Sequence, residues 1–232
     1  MSAEFQSFQT FYNGFIQHPL LLWLATGIGV GVALTRRGID RRLAGYCIWL
    51  GALCLLDAWL TANYVVGVGR LPSWAASAVP LFFVLAGDFR FLLLAVAGTS
   101  LGGLEFDGRR LSQAAGLTLI VPVASQLILL WVPDSPDASR LLFLVYEALF
   151  VALTLALMRF HGNLRSNPWL RSVARLVVLY YALWATSDAI LLVFEADFAY
   201  GLRVVPNLLY YGGLIGAIAW FAPVMTGPAP DA

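Results

Sequence analysis

The chain has 232 residues, of which 60% are hydrophobic and only 12% are charged, and its formal net charge is +1. Soluble domains carry about 25% charged residues, so this chain cannot surround a compact core with a wettable surface, and lipid must be part of its solvent. The near-zero net charge, without a basic tail, gives no electrostatic support for a nucleic-acid partner.

The first segment, residues 1–17, has no positively charged stretch and no small-residue cleavage site, so a removable signal peptide is not expected. Phe5, Phe8, Tyr12 and Phe15 recur in it at helical spacing. Two interpretations stay open: a short amphipathic helix that lies flat in the outer membrane interface, or a disordered tail.

Seven apolar segments follow, each close to the ~20 residues that cross a bilayer. They cover residues 18–35, 43–66, 73–99, 112–132, 141–159, 173–195 and 203–223. The connections between them are short and polar, and none can hold a soluble domain. We therefore predict an all-α membrane protein with one seven-helix transmembrane domain over residues 18–223 and a short cytoplasmic tail over residues 224–232.

The arginines of the connections predict the orientation, because Lys and Arg concentrate in cytoplasmic loops. Ten arginines lie in the first, third and fifth connections, namely Arg36, Arg37, Arg41, Arg42, Arg109, Arg110, Arg159, Arg165, Arg171 and Arg175. The second, fourth and sixth connections hold only Arg70, Arg140 and Arg203. This distribution predicts a multi-pass protein of the cytoplasmic (inner) membrane with its N-terminus outside and its C-terminus inside.

Weak internal similarity indicates a parallel repeat of three helices, a linker helix and three helices. Asp57-Ala in the second helix is matched by Asp188-Ala in the sixth, and PLFFVLAG at 80–87 is matched by PNLLYYGG at 206–213. Parallel repeats of this kind occur in transporters.

This layout of seven helices, outer N-terminus and 3+1+3 pattern resembles the SWEET, PQ-loop and microbial-opsin group of membrane proteins. The resemblance covers the helical arrangement of the whole chain. The Pro-Gln pair of PQ-loop transporters is absent from the first and fifth helices, so no functional residue is transferred from them. The chain also has no lysine, which excludes retinal bound as a Schiff base, and no other cofactor is predicted.

Five ionisable residues fall inside the predicted helices: Asp57, Asp88, Arg90, Glu147 and Asp188. Each would cost roughly 2.5–3.5 kcal/mol if it were ionised and faced lipid at mid-depth. They are therefore expected to face the interior of the bundle, to pair with one another, or to be protonated. Four acids cannot all pair with one arginine, so at least one carboxyl group is expected to be neutral.

Helix rise predicts the depth of these acids. Asp57 and Asp188 lie about 21–23 Å from the cytoplasmic ends of their helices, and Glu147 lies about 9 Å from the outer end of its own, which is the same level in a ~30 Å core. We predict a ligand- or proton-binding layer in the outer half of the bundle. The residues predicted to line it are Asp57, Gln126, Glu147, Tyr181, Trp184, Asp188, Asn207 and Tyr211. An interhelical hydrogen-bond lattice that only holds the helices together is the alternative.

Asp88 and Arg90 are two residues apart, about 200° around a helix, so they do not face each other. Arg90 is expected to meet an acid from another helix, such as Glu147 or Asp188. The resulting pair would serve either as a structural ion pair or in gating.

No catalytic or metal site is predicted, since the only two histidines, His18 and His161, fall at opposite membrane faces. Three functions remain. The first is a small-solute or proton-coupled transporter or channel that uses the carboxylate layer. The second is a non-enzymatic subunit or sensor that binds a lipid, a pigment or a partner helix. The third is a lipid-modifying enzyme. The expected partners are the bilayer, a small-molecule or lipid ligand, and a second copy or another membrane subunit.

Overall fold

The structure is a computed structural model that describes residues 7–61, 71–132 and 138–224. Within these ranges the chain is helical, apart from its connections and one isolated bridge between Gly98 and Leu104. The helices are α1 (Phe8–Phe11), α2 (Pro19–Thr35), α3 (Arg41–Thr61), α4 (Ser73–Ala97), α5 (Gly108–Leu129), α6 (Ala138–Phe160), α7 (Gly162–Ser166), α8 (Pro168–Phe194), α9 (Ala199–Leu202), α10 (Val204–Leu208) and α11 (Leu214–Phe221). Two π-helical segments, Tyr12–Ile16 and Leu209–Gly213, continue α1 and join α10 to α11.

The described helices have the length and composition of membrane spans. Six of them qualify: α3, α4, α5, α6, α8 and the run from Ala199 to Phe221. A seventh is obtained when Phe8–Ile16 and α2, which meet at an angle of 60°, are taken together as one span. The predicted all-helical architecture is thus confirmed with six or seven apolar helices.

Several helices begin earlier than the hydropathy pattern predicts. α3 begins at Arg41 because the Asp40 carboxylate accepts hydrogen bonds from the backbone N–H groups of Arg42 (2.9 Å) and Leu43 (3.0 Å). α8 begins at Pro168, a residue suited to the first helical turn because it has no N–H to leave unpaired. A span predicted from hydropathy stops at the first charged residue, whereas the helix itself extends as far as its capping residue. Residues 62–66 of the second predicted helix, residues 1–6, most of two predicted connections and residues 225–232 of the predicted tail lie outside the described residues.

The connections after α2, α4 and α6 meet at one end of the bundle, together with the end of α11. The Asn163 side chain donates to the carbonyl groups of Ala95 (2.8 Å) and Gly98 (2.7 Å). The Arg36 guanidinium donates to the carbonyl groups of Ala219 and, at 2.8 Å, Ala222. We call this the arginine-rich end, defined by residues 36–42, 98–110 and 159–167.

The opposite end holds α1 and α9. The Asp197 carboxylate accepts hydrogen bonds from the backbone N–H groups of Phe8 (2.6 Å) and Gln9 (3.0 Å). The N-terminal helical segment is therefore tied to the turn that follows α8, and it covers that end of the bundle.

A π-helical segment, Leu209–Gly213, interrupts the last span and begins three residues after Pro206. Proline has no N–H for the helical ladder, and single π turns inside helices are frequent at functional sites. Gly212 in this segment packs against the backbone of α2, where an added Cβ would collide with the carbonyl group of Ala25. This close approach turns Tyr211 into the bundle, where it is buried.

Candidate functional site

The buried ionisable residues form two clusters instead of the single predicted layer. We call the first the tyrosine cluster. It comprises Asp57, Asp88, Arg90, Tyr146, Tyr181, Tyr210 and Tyr211. We call the second the arginine cluster. It comprises Arg140, Glu147, Asp188 and Arg203.

Asp88 on α4 is fully buried, and two phenols hold its carboxyl group. The Tyr146 hydroxyl donates to Oδ2 and the Tyr181 hydroxyl donates to Oδ1. In the part of the chain that the structure describes, no basic side chain lies within ion-pair distance of Asp88. The carboxyl group is thus held by hydrogen bonds alone.

Asp57 on α3 has a similar environment. Its side chain is buried, the Tyr211 hydroxyl donates to Oδ2 at 2.9 Å, and the Thr61 hydroxyl lies 3.2 Å from Oδ1. No arginine within the described ranges forms an ion pair with it. Two buried carboxyl groups are therefore attached to hydroxyl donors.

Arg90 lies in the same cluster without a carboxylate partner. Its guanidinium donates to Cys54 Sγ (2.7 Å) and to the Tyr210 carbonyl group (2.7 Å), and it stacks 3.9 Å from the centroid of the Tyr210 ring. The expected pairing with Glu147 or Asp188 is wrong. α4 turns Arg90 toward α3 and the π-helical segment, whereas those two acids belong to α6 and α8 and lie in the arginine cluster.

Aromatic rings connect the two acids of the tyrosine cluster. Tyr181, which binds Asp88, packs on Tyr180 at 4.9 Å, and Tyr180 meets Tyr210 at 6.0 Å. Tyr210 in turn lies 5.2 Å from Tyr211, which binds Asp57. Trp184 packs on Tyr210 at 5.4 Å and completes the framework. Tilted and edge-to-face contacts of this kind fix ring positions, so the hydroxyl groups are held in place.

The arginine cluster has the opposite chemistry. Asp188 is fully buried, and its Oδ1 accepts hydrogen bonds from Arg203 Nη1 (3.0 Å) and Arg140 Nη1 (3.4 Å). The two arginines remain 20% and 27% exposed. Arg140 also donates to the Tyr200 hydroxyl at 2.7 Å. Charge is balanced here by direct ion pairs next to the α1 and α9 end.

Glu147 borders this cluster and is buried, within electrostatic range of Asp188 and Arg203. Its Oε2, together with Asp188 Oδ2 and Arg203 Nε, has no hydrogen-bond partner among the described residues. All three atoms can bind water, and the two carboxyl oxygens can also accept a proton, whereas the arginine Nε–H can only donate.

The structure divides most of the predicted site residues between the two clusters and leaves Gln126 outside both. Asn207 is buried in α10 beside the π-helical segment. Gln126 does not join the others, because it lies on the outer surface of α5 in an apolar depression near Leu81 and Leu85. Thr118, eight residues earlier on α5, is buried. Over those eight residues the helix turns by about 80° beyond two full turns, so Gln126 points away from the interior.

Sequence reasoning missed several members of these clusters. Tyr146 and Tyr210 gave no signal beyond their aromatic character. Arg140 and Arg203 were assigned to connections, although long arginine side chains can reach past the end of a span. One signal was present: Arg140 precedes Glu147 by seven residues, which is two helical turns and the same helix face.

Comparisons of the chain with protein-family models, with curated proteins and with solved structures found no match. Among the described residues, no three His, Cys, Asp or Glu side chains are grouped so that they could hold a metal ion. The long apolar helices define the class: this is a multi-pass membrane protein. Its buried polar groups are the features from which its function must be inferred.

Proposed function

We propose that this protein moves protons across a membrane, either alone or coupled to a small solute, with the tyrosine cluster as the proton-binding site. The observation that carries the proposal is the environment of Asp57 and Asp88. Both are buried inside spans, and both are held by hydroxyl donors with no basic residue at ion-pair distance among the described residues.

Charge balance supports a proton at this site. The cluster contains two acids and one arginine, and an uncompensated charge in an apolar interior is costly. One carboxylate balances Arg90 across the cluster, so the other acid carries a proton. Such a proton can move between Asp57 and Asp88 without a change in the net charge of the cluster.

The arginine cluster offers a route to the surface. Asp188 follows Tyr181 on α8 by seven residues, or about 10.5 Å along the axis, and Glu147 directly follows Tyr146 on α6. The partly exposed arginines link Asp188 to the α1 and α9 end. A short chain of waters between the clusters would carry protons in from that end.

The other half of the bundle favours a carrier over an open channel. Every residue of α4 from Phe91 to Ala97 is apolar and buried. This dry stretch separates Asp88 from the arginine-rich end. Release on that side would require the helices to rearrange, as in alternating access.

The orientation is part of the proposal. The arginine-rich end faces the cytoplasm by the positive-inside rule, so the α1 and α9 end faces outward in the cytoplasmic membrane. The three-helix halves of a SWEET-like or PQ-loop-like carrier would supply the two moving parts.

The test is proton flux in proteoliposomes that contain a pH-sensitive dye, under a valinomycin-imposed, inside-negative potassium potential. The external buffer contains a mixture of amino acids, sugars and carboxylates, so that a coupled carrier has substrate. Wild type is compared with Asp88→Asn, and with Glu195→Gln as a control, since Glu195 is exposed at the end of α8.

We expect several-fold faster internal acidification with wild type and with Glu195→Gln than with Asp88→Asn or with protein-free vesicles. Equal rates for wild type and Asp88→Asn, with both proteins folded and inserted, would refute proton transport through this cluster.

A second candidate is a non-enzymatic membrane subunit or sensor. It is favoured by the aromatic side chains that α3 and the neighbouring connection expose, including Trp49, Trp59 and Phe106. Co-purification of a stable membrane partner, combined with proton flux no faster than in protein-free vesicles, would support it over the carrier.

A further inference from the structure

An apolar groove opens on the lipid-facing surface between α3, α4 and the start of α5. Its volume is about 490 Å³, within the range of roughly 300–1,000 Å³ that is typical of ligand sites. Side chains that line it include Arg42, Tyr46, Trp49, Phe89 and Phe106. No member of the tyrosine cluster lines the groove, although the Tyr46 hydroxyl donates to the backbone carbonyl group of Arg90.

The groove is open because of Gly45, which also lines it on α3. A Cβ at this position would meet no atom within 4 Å. Phe106 comes from the connection between α4 and α5, and its ring packs 6.4 Å from that of Tyr46. Phe106 and Trp49 nevertheless remain 49% and 43% exposed. Rigid aromatic walls thus flank a space that the described protein does not fill.

A basic side chain stands at one end of the groove. Arg42 forms no ion pair within the described ranges, and it lies at the arginine-rich end. The nearby acids are engaged elsewhere: Asp40 caps α3, and Glu105 and Asp107 bind Arg110 at 2.6 and 3.6 Å. Arg42 is therefore a cation without a bound anion at the mouth of an apolar groove.

We propose that this groove binds an anionic phospholipid from the surrounding leaflet. Its phosphate would receive hydrogen bonds from the Arg42 guanidinium, which suits phosphate geometry. One acyl chain would lie past Gly45 and Tyr46 to Trp49, about 10.5 Å further into the membrane. Basic pockets between helices on the cytoplasmic side are known to recognise acidic lipid head groups.

Phospholipid is the occupant that matches both halves of the site. The apolar groove matches an acyl chain, and the unpaired Arg42 at its interfacial end matches the phosphate. The two features follow each other in the same order as these two parts of a phospholipid in a leaflet. A partner helix would satisfy the groove but would need an acidic residue placed against Arg42. The inference does not depend on proton transport, because no member of either cluster lines the groove.

The experiment uses the full chain in nanodiscs that contain equal amounts of phosphatidylglycerol and phosphatidylcholine. Protein released from the discs is analysed by native mass spectrometry for retained lipid. Arg42→Gln removes the cation, and Gly45→Leu fills the acyl-chain seat while every charge is kept. Arg159→Gln is the matched control, since Arg159 is an exposed arginine in the last turn of α6, outside the groove.

We expect wild type and Arg159→Gln to retain phosphatidylglycerol several-fold over phosphatidylcholine. Arg42→Gln should lose this preference, and Gly45→Leu should lose most of the retained lipid of both kinds. If Gly45→Leu retained phosphatidylglycerol at the wild-type level, the lipid would be held by the surface charge of the protein and not by the groove. That result would overturn the proposed site. An unchanged preference in Arg42→Gln would overturn the assigned phosphate contact, and a protein partner in place of lipid would overturn the choice of occupant.

Discussion

The tyrosine cluster and the arginine cluster each contain two buried acidic residues, but the two pairs of acids have opposite surroundings. α6 and α8 contribute to both, with Tyr146 next to Glu147 and Tyr181 two turns before Asp188. In the arginine cluster two acids face two arginines, and Asp188 is paired directly. In the tyrosine cluster two acids share one arginine that neither contacts as an ion pair.

This difference shows that burial alone does not assign a role to an intramembrane acid. A carboxylate paired with two guanidinium groups is held in its ionised form, because loss of its charge would leave two cations with only one remaining acid, Glu147, to balance them. A carboxyl group held by phenols can exist with or without its proton while it keeps its hydrogen bonds. The arginine cluster is therefore suited to a structural role, and the tyrosine cluster to proton exchange.

The largest effect is expected when both acids of the tyrosine cluster are neutralised. Asp57→Asn and Asp88→Asn should each lower the free energy of unfolding by about 1 kcal/mol. An amide preserves much of the hydrogen bonding, and the remaining acid still balances Arg90. The double variant leaves a buried cation unpaired and should cost on the order of 3–5 kcal/mol. Reversible unfolding in mixed micelles measures all three.

The informative quantity is the coupling energy, which is the difference between the effect of the double variant and the sum of the two single effects. The effects of substitutions on stability are not additive when the residues are in contact or share a charge partner. A double variant whose cost equals the sum of the two single variants would mean that neither carboxylate balances Arg90. The proposed shared proton would then have no basis.

The next largest loss of stability is expected for Asp188→Asn. Asp57→Asn is the matched control, because it makes the same chemical change in the tyrosine cluster. Asp188→Asn leaves Arg140 and Arg203 with only Glu147 to balance them. Removing one member of a buried ion pair costs about 3–5 kcal/mol, and the partial exposure of the two arginines reduces this to about 2 kcal/mol. The comparison is made by measuring the free energy of unfolding of Asp188→Asn and Asp57→Asn under identical conditions.

Asp188→Asn should thus be clearly less stable than Asp57→Asn, and Glu195→Gln should match wild type. Equal stability of the two aspartate variants would erase the distinction between the clusters.

The spans were predictable because each depends on local composition. A run of about 20 apolar residues can be recognised in the sequence without any knowledge of the helices that pack against it. Six or seven such helices are present. Their ends were less predictable. The residues that start the helices, such as the cap Asp40 and the first-turn residue Pro168, lie outside the apolar runs, in segments where charged residues ended the predicted spans.

Helix rise predicts one common depth for Asp57, Glu147 and Asp188, but which helix each acid faces depends on packing between helices. The acids predicted to form one layer therefore belong to two clusters, and Gln126, predicted to line the same layer, lies on the outer surface of α5. The π-helical segment after Pro206 changes the direction of Tyr210 and Tyr211, and no periodicity argument contains that shift.

Tyr180 and Tyr181, which are adjacent on α8, provide the finest test of the comparison, because the two residues are chemically identical and differ only in the contacts of their hydroxyl groups. The Tyr181 hydroxyl donates to Asp88, whereas the Tyr180 hydroxyl lies near the Arg90 guanidinium but forms no hydrogen bond of acceptable geometry among the described residues. Tyr181→Phe should therefore cost about 1 kcal/mol in unfolding free energy and slow proton flux, while Tyr180→Phe should leave both unchanged or gain slightly in stability. Both variants keep the aromatic ring and its packing, so a difference between them reports the hydroxyl group alone. If the two variants behaved alike, the phenol at Asp88 would be packing material and not part of a proton site.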